Sequence, residues 1–153
     1  MNASDVARQL EEIADAGDGF EYQSYQLTAK WKGDPNGFAA VEPILRFMES
    51  HPDVDYGAPG PLVHFIEMLP RYEEKLVESV ERQPTPNTVG MLNRAINGKR
   101  DPQERQALLS VMERVLKNVR ADAVTRERAF DYLVFQTPGA LWNVGDVPDR
   151  VPD

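Results

Sequence analysis

Cysteine is absent from this chain of 153 residues. That excludes disulfides, thiolate catalysis and any cysteine-ligated zinc or iron–sulfur centre. Histidine is nearly absent: only His51 and His64 occur. Long apolar runs are missing as well, the longest being a few residues against the roughly 20 needed to cross a bilayer. Met1-Asn2-Ala3-Ser4-Asp5 offers no basic stretch followed by an apolar one. No secretory signal is therefore expected, and the expected location is cytoplasmic. Basic residues are scarce in one half only. Residues 1–81 hold sixteen Asp and Glu against six Lys and Arg, a balance of −10. Residues 82–153 hold nine acids and eleven bases, a balance of +2, which completes the net −8. Such a field attracts a cationic partner and repels nucleic acid and anionic membrane.

What remains is a composition ordinary for a folded protein, in a length suited to one domain. Most segments carry helical periodicity. Val6, Leu10, Ile13 and Ala14 form one stripe, ended by Gly17-Asp18-Gly19. Phe20, Ser24, Leu27 and Trp31 form the next, followed by the turn-rich 32–37. Val41, Ile44, Leu45 and Met48 require Pro43 to lie in a first turn. A loop over 53–61 leads to a short helix opened by Pro61. Pro70 precedes a helix with Tyr72, Leu76 and Val80 inward. Thr85-Pro86 opens another, stopped at Asn97-Gly98. Asp101-Pro102-Gln103-Glu104 has the form of a capping box. The core stripe behind it is Leu108, Val111, Met112, Val115, Leu116 and Val119. A last helix is expected over 123–135. The fold expected is all-α, with about eight helices packed as antiparallel hairpins, an arrangement open to HEAT-like stacking. Residues 1–135 form the expected helical domain and 136–153 an irregular tail anchored by Trp142.

Catalytic constellations are thin. His64 and Glu67 share a helix face, but His-x-x-Glu alone is a weak metal or hydrolase signal. The ordinary reading is a polar pair locking the helix into the core. The serines lack a nucleophile elbow. Gly57-Ala58-Pro59-Gly60-Pro61 has no Lys-Ser/Thr ending, and its prolines remove the amides a phosphate loop needs. Asn93, Arg94 and Asn97 form a polar cluster on a core helix, read as bonding to neighbouring loop backbone. The expectation is a non-enzymatic protein with no cofactor and no metal, whose partner is another protein.

Several segments together carry a resemblance. They are Trp31-Lys32, the run 41–52 from Val41 to Pro52, and the run 55–67 from Asp55 to Glu67. Tyr72-Glu73-Glu74-Lys75-Leu76, Pro84-Thr85-Pro86 and the run 91–97 from Met91 to Asn97 complete it. Over roughly residues 20–120 the chain resembles small all-helical immunity proteins of bacterial polymorphic-toxin and contact-dependent growth-inhibition systems. The stretch Pro59-Gly60-Pro61-Leu62-Val63-His64-Phe65-Ile66-Glu67 is its most specific part. The resemblance implies a protein that binds and neutralises the toxin domain of the same cell. Its motif, with Gly57, Pro59, Gly60 and Pro61, reads as scaffold. The expected toxin contacts are the acids around it: Asp53, Asp55, Glu73 and Glu74, with Tyr56 as an aromatic anchor, and Asp18 and Glu21 as a second group. The toxin's active site is expected to be cationic. The rival reading is a helical-repeat adaptor for an endogenous protein or peptide.

Overall fold

A computed structural model describes residues 1–152. Among them are eight α-helices and no strand. They divide into two compact units, the first over 1–75 and the second from 76 on.

Unit 1 holds α1 (Ala3–Asp15), α2 (Phe20–Trp31), α3 (Val41–Ser50) and α4 (Pro61–Glu67). Asn2 caps α1 by accepting from the Asp5 amide, one of the donors a helix start leaves open. Ser24 returns its hydroxyl to the Phe20 carbonyl at 2.7 Å. That bond lets a polar residue sit buried on the inner face of α2. A 3-10 turn, Gly37–Ala40, feeds α3. Pro43 occupies the first turn of α3 as expected. Val41, Ile44, Leu45 and Met48 of α3 are fully buried. Helix α1 packs on α2 and α3, and α2 packs on α4. Trp31 closes this core, edge-on to Phe65 with its indole N–H on Gln9 at 3.3 Å.

The helix α5 (Tyr72–Arg82) begins in unit 1 and runs into unit 2. Unit 2 continues with α6 (Pro86–Gly98), α7 (Pro102–Val115) and α8 (Ala123–Gln136), each of which packs on the other two. Thr85 and Thr88 form a reciprocal capping box at the start of α6. At α7 the Asp101 carboxylate accepts from the Glu104 amide at 2.9 Å. The expected reach of α7 to Val119 is corrected. The helix ends at Val115, and Val119 is 95% exposed. Asn118 ends the run, its side chain donating to the Glu81 carbonyl and accepting from the Arg120 amide. Local side-chain bonds of this kind compete with helix continuation.

Residues 137–152 run over unit 2 with one further 3-10 turn, Val144–Asp146. Trp142 anchors them as expected, edge-on to Phe130 with ring centres 5.5 Å apart. Three polar links add to it: Lys117 with Asp146, Arg150 with Glu127 and Asp131, and the Val151 amide donating to Glu127. These donors hold the Glu127 carboxyl below its ordinary range, the Val151 amide contributing most. No helix among the described residues is long and apolar enough to cross a membrane.

Candidate functional site

The residues of the 51–61 loop are built around a ring stack. Phe20 of α2 stacks on Phe47 of α3 at 5.6 Å, and Phe47 stacks on His51 at 4.0 Å. Tyr56 meets Phe20 edge-on at 5.6 Å. The stack joins the α1–α2 turn to the α3–α4 loop. Tyr56 is 2% exposed, so the expected aromatic anchor for a partner lies inside the protein. Its phenol donates to the His51 carbonyl at 2.7 Å, closing the loop on itself. Burial, with a smaller push from the Glu11 charge, raises that phenol well above the ordinary tyrosine range. A Tyr with its hydroxyl satisfied inside a ring cluster gains more from burial than from a place on the surface.

The glycines of this loop hold backbone conformations that other residues rarely adopt. Gly60 adopts φ 93°. A Cβ there would lie 1.6 Å from the Tyr56 carbonyl oxygen. Gly57, at φ 101°, faces the Glu21 carboxylate, which a Cβ would meet at 2.9 Å. Pro59 follows a cis peptide bond, and Pro61 is the first residue of α4.

This packing gathers part of the predicted contact set. Glu21 lies against Gly57, and Asp55 accepts from the Gly57 amide at 3.0 Å. Asp18 precedes Phe20 by two residues, and Asp53 follows His51 by two. All four carboxylates are exposed: Asp18 in the α1–α2 turn, Glu21 in the first turn of α2, and Asp53 and Asp55 on the α3–α4 loop. Glu11 joins them through His51, at 3.3 Å from its Nε2. Asp15, at the end of α1, stands three residues before Asp18.

Four of the six Lys and Arg of unit 1 are paired elsewhere. Arg8 pairs with Asp5 and Glu12, Arg46 with Glu42 and Glu49, Lys75 with Glu42, and Arg71 with Glu74. Among the described residues no Lys or Arg of the chain pairs with Asp15, Asp18, Glu21, Asp53 or Asp55. Their field is left for solvent or a partner.

Glu73 and Glu74 do not join this end. They begin α5, beyond the far end of α4 from the 53–60 loop; α4 alone spans about 10 Å at 1.5 Å per residue. Glu74 is held by Arg71 through two guanidinium nitrogens.

His64 also departs from expectation. It is exposed and lines a groove between α2 and α4, so it does not lock α4 into the core. Among the described residues no three His, Cys, Asp or Glu side chains gather where a metal could be held.

The polar cluster of α6 serves unit 2. Asn93 and Asn97 accept from the Gln136 amide at 2.9 and 2.6 Å, and Arg105 donates to the Gln136 side-chain oxygen at 2.7 Å. The partner is thus a side chain at the end of α8, not the loop backbone expected. Arg94, between the two asparagines, is exposed.

No protein-family model matches the chain, and no curated protein and no solved structure matches it significantly.

Proposed function

We propose that the chain is a non-catalytic immunity protein. It binds and neutralises a toxin domain made by the same cell, in the cytoplasm, and docks through the acidic end of unit 1. One observation carries this reading: Asp18, Glu21, Asp53 and Asp55 lie where the start of α2 adjoins the α3–α4 loop, with no Lys or Arg among the described residues paired to them. A toxin that cleaves nucleic acid grips phosphates with Lys and Arg. Carboxylates held in a fixed array can occupy such a cleft in place of the phosphates. Opposite charge also speeds encounter and rejects partners of like sign. Speed matters for an inhibitor that must capture a lethal enzyme before it acts. The resemblance over residues 20–120 supplies the class of protein, and the carboxylates supply the surface.

The test is co-expression with the toxin domain encoded beside it. The unmodified chain restores growth and co-purifies with the toxin. The fourfold variant Asp18→Lys, Glu21→Lys, Asp53→Lys, Asp55→Lys loses rescue, and association slows at least tenfold. Glu73→Lys with Glu74→Lys retains rescue. A fourfold variant that rescues like the unmodified chain overturns the assignment of this face. An adaptor that binds an endogenous peptide is the second reading, favoured by the α2–α4 groove. It predicts no rescue by either chain.

A further inference from the structure

The groove between α2 and α4 is lined by Tyr25, Ala29, Lys32, His64, Phe65 and Met68, with Thr28 and Pro61 completing it. It holds about 200 Å³, below the ~300–1,000 Å³ of sites for small molecules. A cleft of that size accepts one or two side chains of a larger partner. Its rim is unusually apolar for a surface. Met68 is 62% exposed, Tyr25 53%, and Tyr22, one turn before Tyr25 on α2, 67%. Single exposed apolar residues are common. Here Tyr25 on the α2 wall and Met68 beside Phe65 on the α4 wall border one cleft, with Tyr22 one turn along α2, and clustering of that kind marks interaction sites.

Charge decides what fits. Glu21 is a helical neighbour of Tyr25 on α2, and Asp18 lies in the turn just before that helix, so the uncompensated carboxylates adjoin the tyrosine end of the groove. Glu21 stands one turn from Tyr25, and Lys32 closes the opposite end of the groove. The two ends therefore differ in sign, and an occupant is oriented by them.

We propose that this groove seats a short segment of a protein partner that carries an arginine beside a large aliphatic side chain. The guanidinium lies over the Tyr25 ring and against Glu21. The aliphatic side chain enters between Phe65 and Met68. Arginine suits the first position because its planar cation stacks on aromatic faces and forks onto carboxylates. Tyrosine and arginine are also the residues that dominate binding energy at protein interfaces. The proposal deepens the reading of unit 1 as a partner-binding surface. It does not require that the partner be a toxin.

The experiment is a titration of the full chain, uniformly labelled with nitrogen-15, followed by amide chemical shifts. The probe is a synthetic peptide alternating arginine and leucine. Two controls replace its leucines by serine or its arginines by glutamate. The expected shifts centre on residues 21–32 and 61–68, and both controls bind at least tenfold more weakly. Tyr25→Ala with Met68→Ala weakens the arginine–leucine peptide at least tenfold. Both residues are exposed, and retained dispersion of the spectrum verifies the fold. Equal binding of the serine control, with shifts spread over the acidic loops, overturns the groove and leaves only charge attraction. Shifts of the same residues with protein concentration alone, without peptide, make a second copy the occupant and also overturn it. Failure of toxin rescue with peptide binding intact removes the immunity reading and keeps this one.

Discussion

Replacing Gly60 by alanine tests the loop that holds the acidic end together. Gly60 has φ 93° and ψ 170°, a region essentially reserved for glycine and worth about 1–3 kcal/mol against any other residue. The new Cβ would also lie 1.6 Å from the Tyr56 carbonyl oxygen. That atom is backbone, so the loop has to retreat. Retreat breaks the 2.7 Å bond from the Tyr56 phenol to the His51 carbonyl, worth about 1 kcal/mol. It also loosens the edge contact of Tyr56 with Phe20, worth ~0.5–1.5 kcal/mol. The expected loss is about 3–4 kcal/mol in all. Gly17→Ala is the control. Gly17 also has positive φ, 84°, but nothing lies within 4 Å of a Cβ there. Only the left-handed backbone cost remains, about 1–2 kcal/mol. The assay is urea unfolding in a Trp142→Phe background. Trp31, buried against Phe65, is then the sole tryptophan and reports on unit 1. With a slope of roughly 1–2 kcal/mol per molar urea, Gly60→Ala lowers the midpoint by about 2 M. Equal midpoints for Gly60→Ala and Gly17→Ala would refute the reasoning, because the close approach to Tyr56 would then carry no cost.

Gln136→Leu removes the donor to Asn93 and Asn97 and the acceptor for Arg105. Unit 2 is expected to lose roughly 2–3 kcal/mol, measured by urea unfolding followed through Trp142 in a Trp31→Phe background. Gln136→Glu keeps the acceptor for Arg105, and both asparagine amides can turn to donate, so it is expected to cost about 1 kcal/mol or less. Acid should release the C-terminal segment. The Glu127 carboxyl is held low by the Val151 amide and Arg150, so docking favours its charged form. That stabilisation is complete above the ordinary glutamate pKa, about 4.3, and is lost as pH falls through the lower docked value. Trp142 fluorescence in the Trp31→Phe background is expected to change below about pH 4 while helical circular dichroism persists. Glu127→Gln should give that change already at neutral pH. The fourfold charge reversal of the acidic loops and the peptide titration of the α2–α4 groove complete the set. The first reads toxin rescue and the second reads amide shifts.

Much of the helix plan was legible because helix ends are written locally. Thr85-Pro86 and Asp101-Pro102 each place a side-chain acceptor before a residue with no amide to lose, and helices begin there. Gly60-Pro61 was legible for a related reason, a permissive backbone followed by a fixed one. Periodicity failed where it was continued past a local stop. Val119 keeps the spacing of the α7 stripe, but Asn118 turns the chain three residues beyond Val115.

Side-chain placement was less legible, because exposure depends on what arrives from distant segments. Tyr56 lies in a loop of acids and prolines, which reads as surface. Phe20 and Phe47, from other helices, come over it and bury it. His64 shares a helix with buried Leu62, Val63, Phe65 and Ile66, which reads as core, yet no neighbour covers it. Tyr22 and Tyr25 are distant in sequence from Met68, which lies 46 positions after Tyr22. Spacing on α2 could have linked Tyr22 to Tyr25 and to Glu21; nothing local linked them to α4.

By itself the sequence determined an all-helical chain, most helix boundaries and the excess of acids in the first half. Those follow from backbone preferences over a few residues and from composition. Only the tertiary structure decided which acids share a surface. Asp18, Glu21, Asp53 and Asp55 come together because aromatic rings pin the start of α2 to the α3–α4 loop, while Glu73 and Glu74 are carried away by the length of α4. Net charge is a sum over residues, whereas a docking face depends on distances, and distances are set by packing.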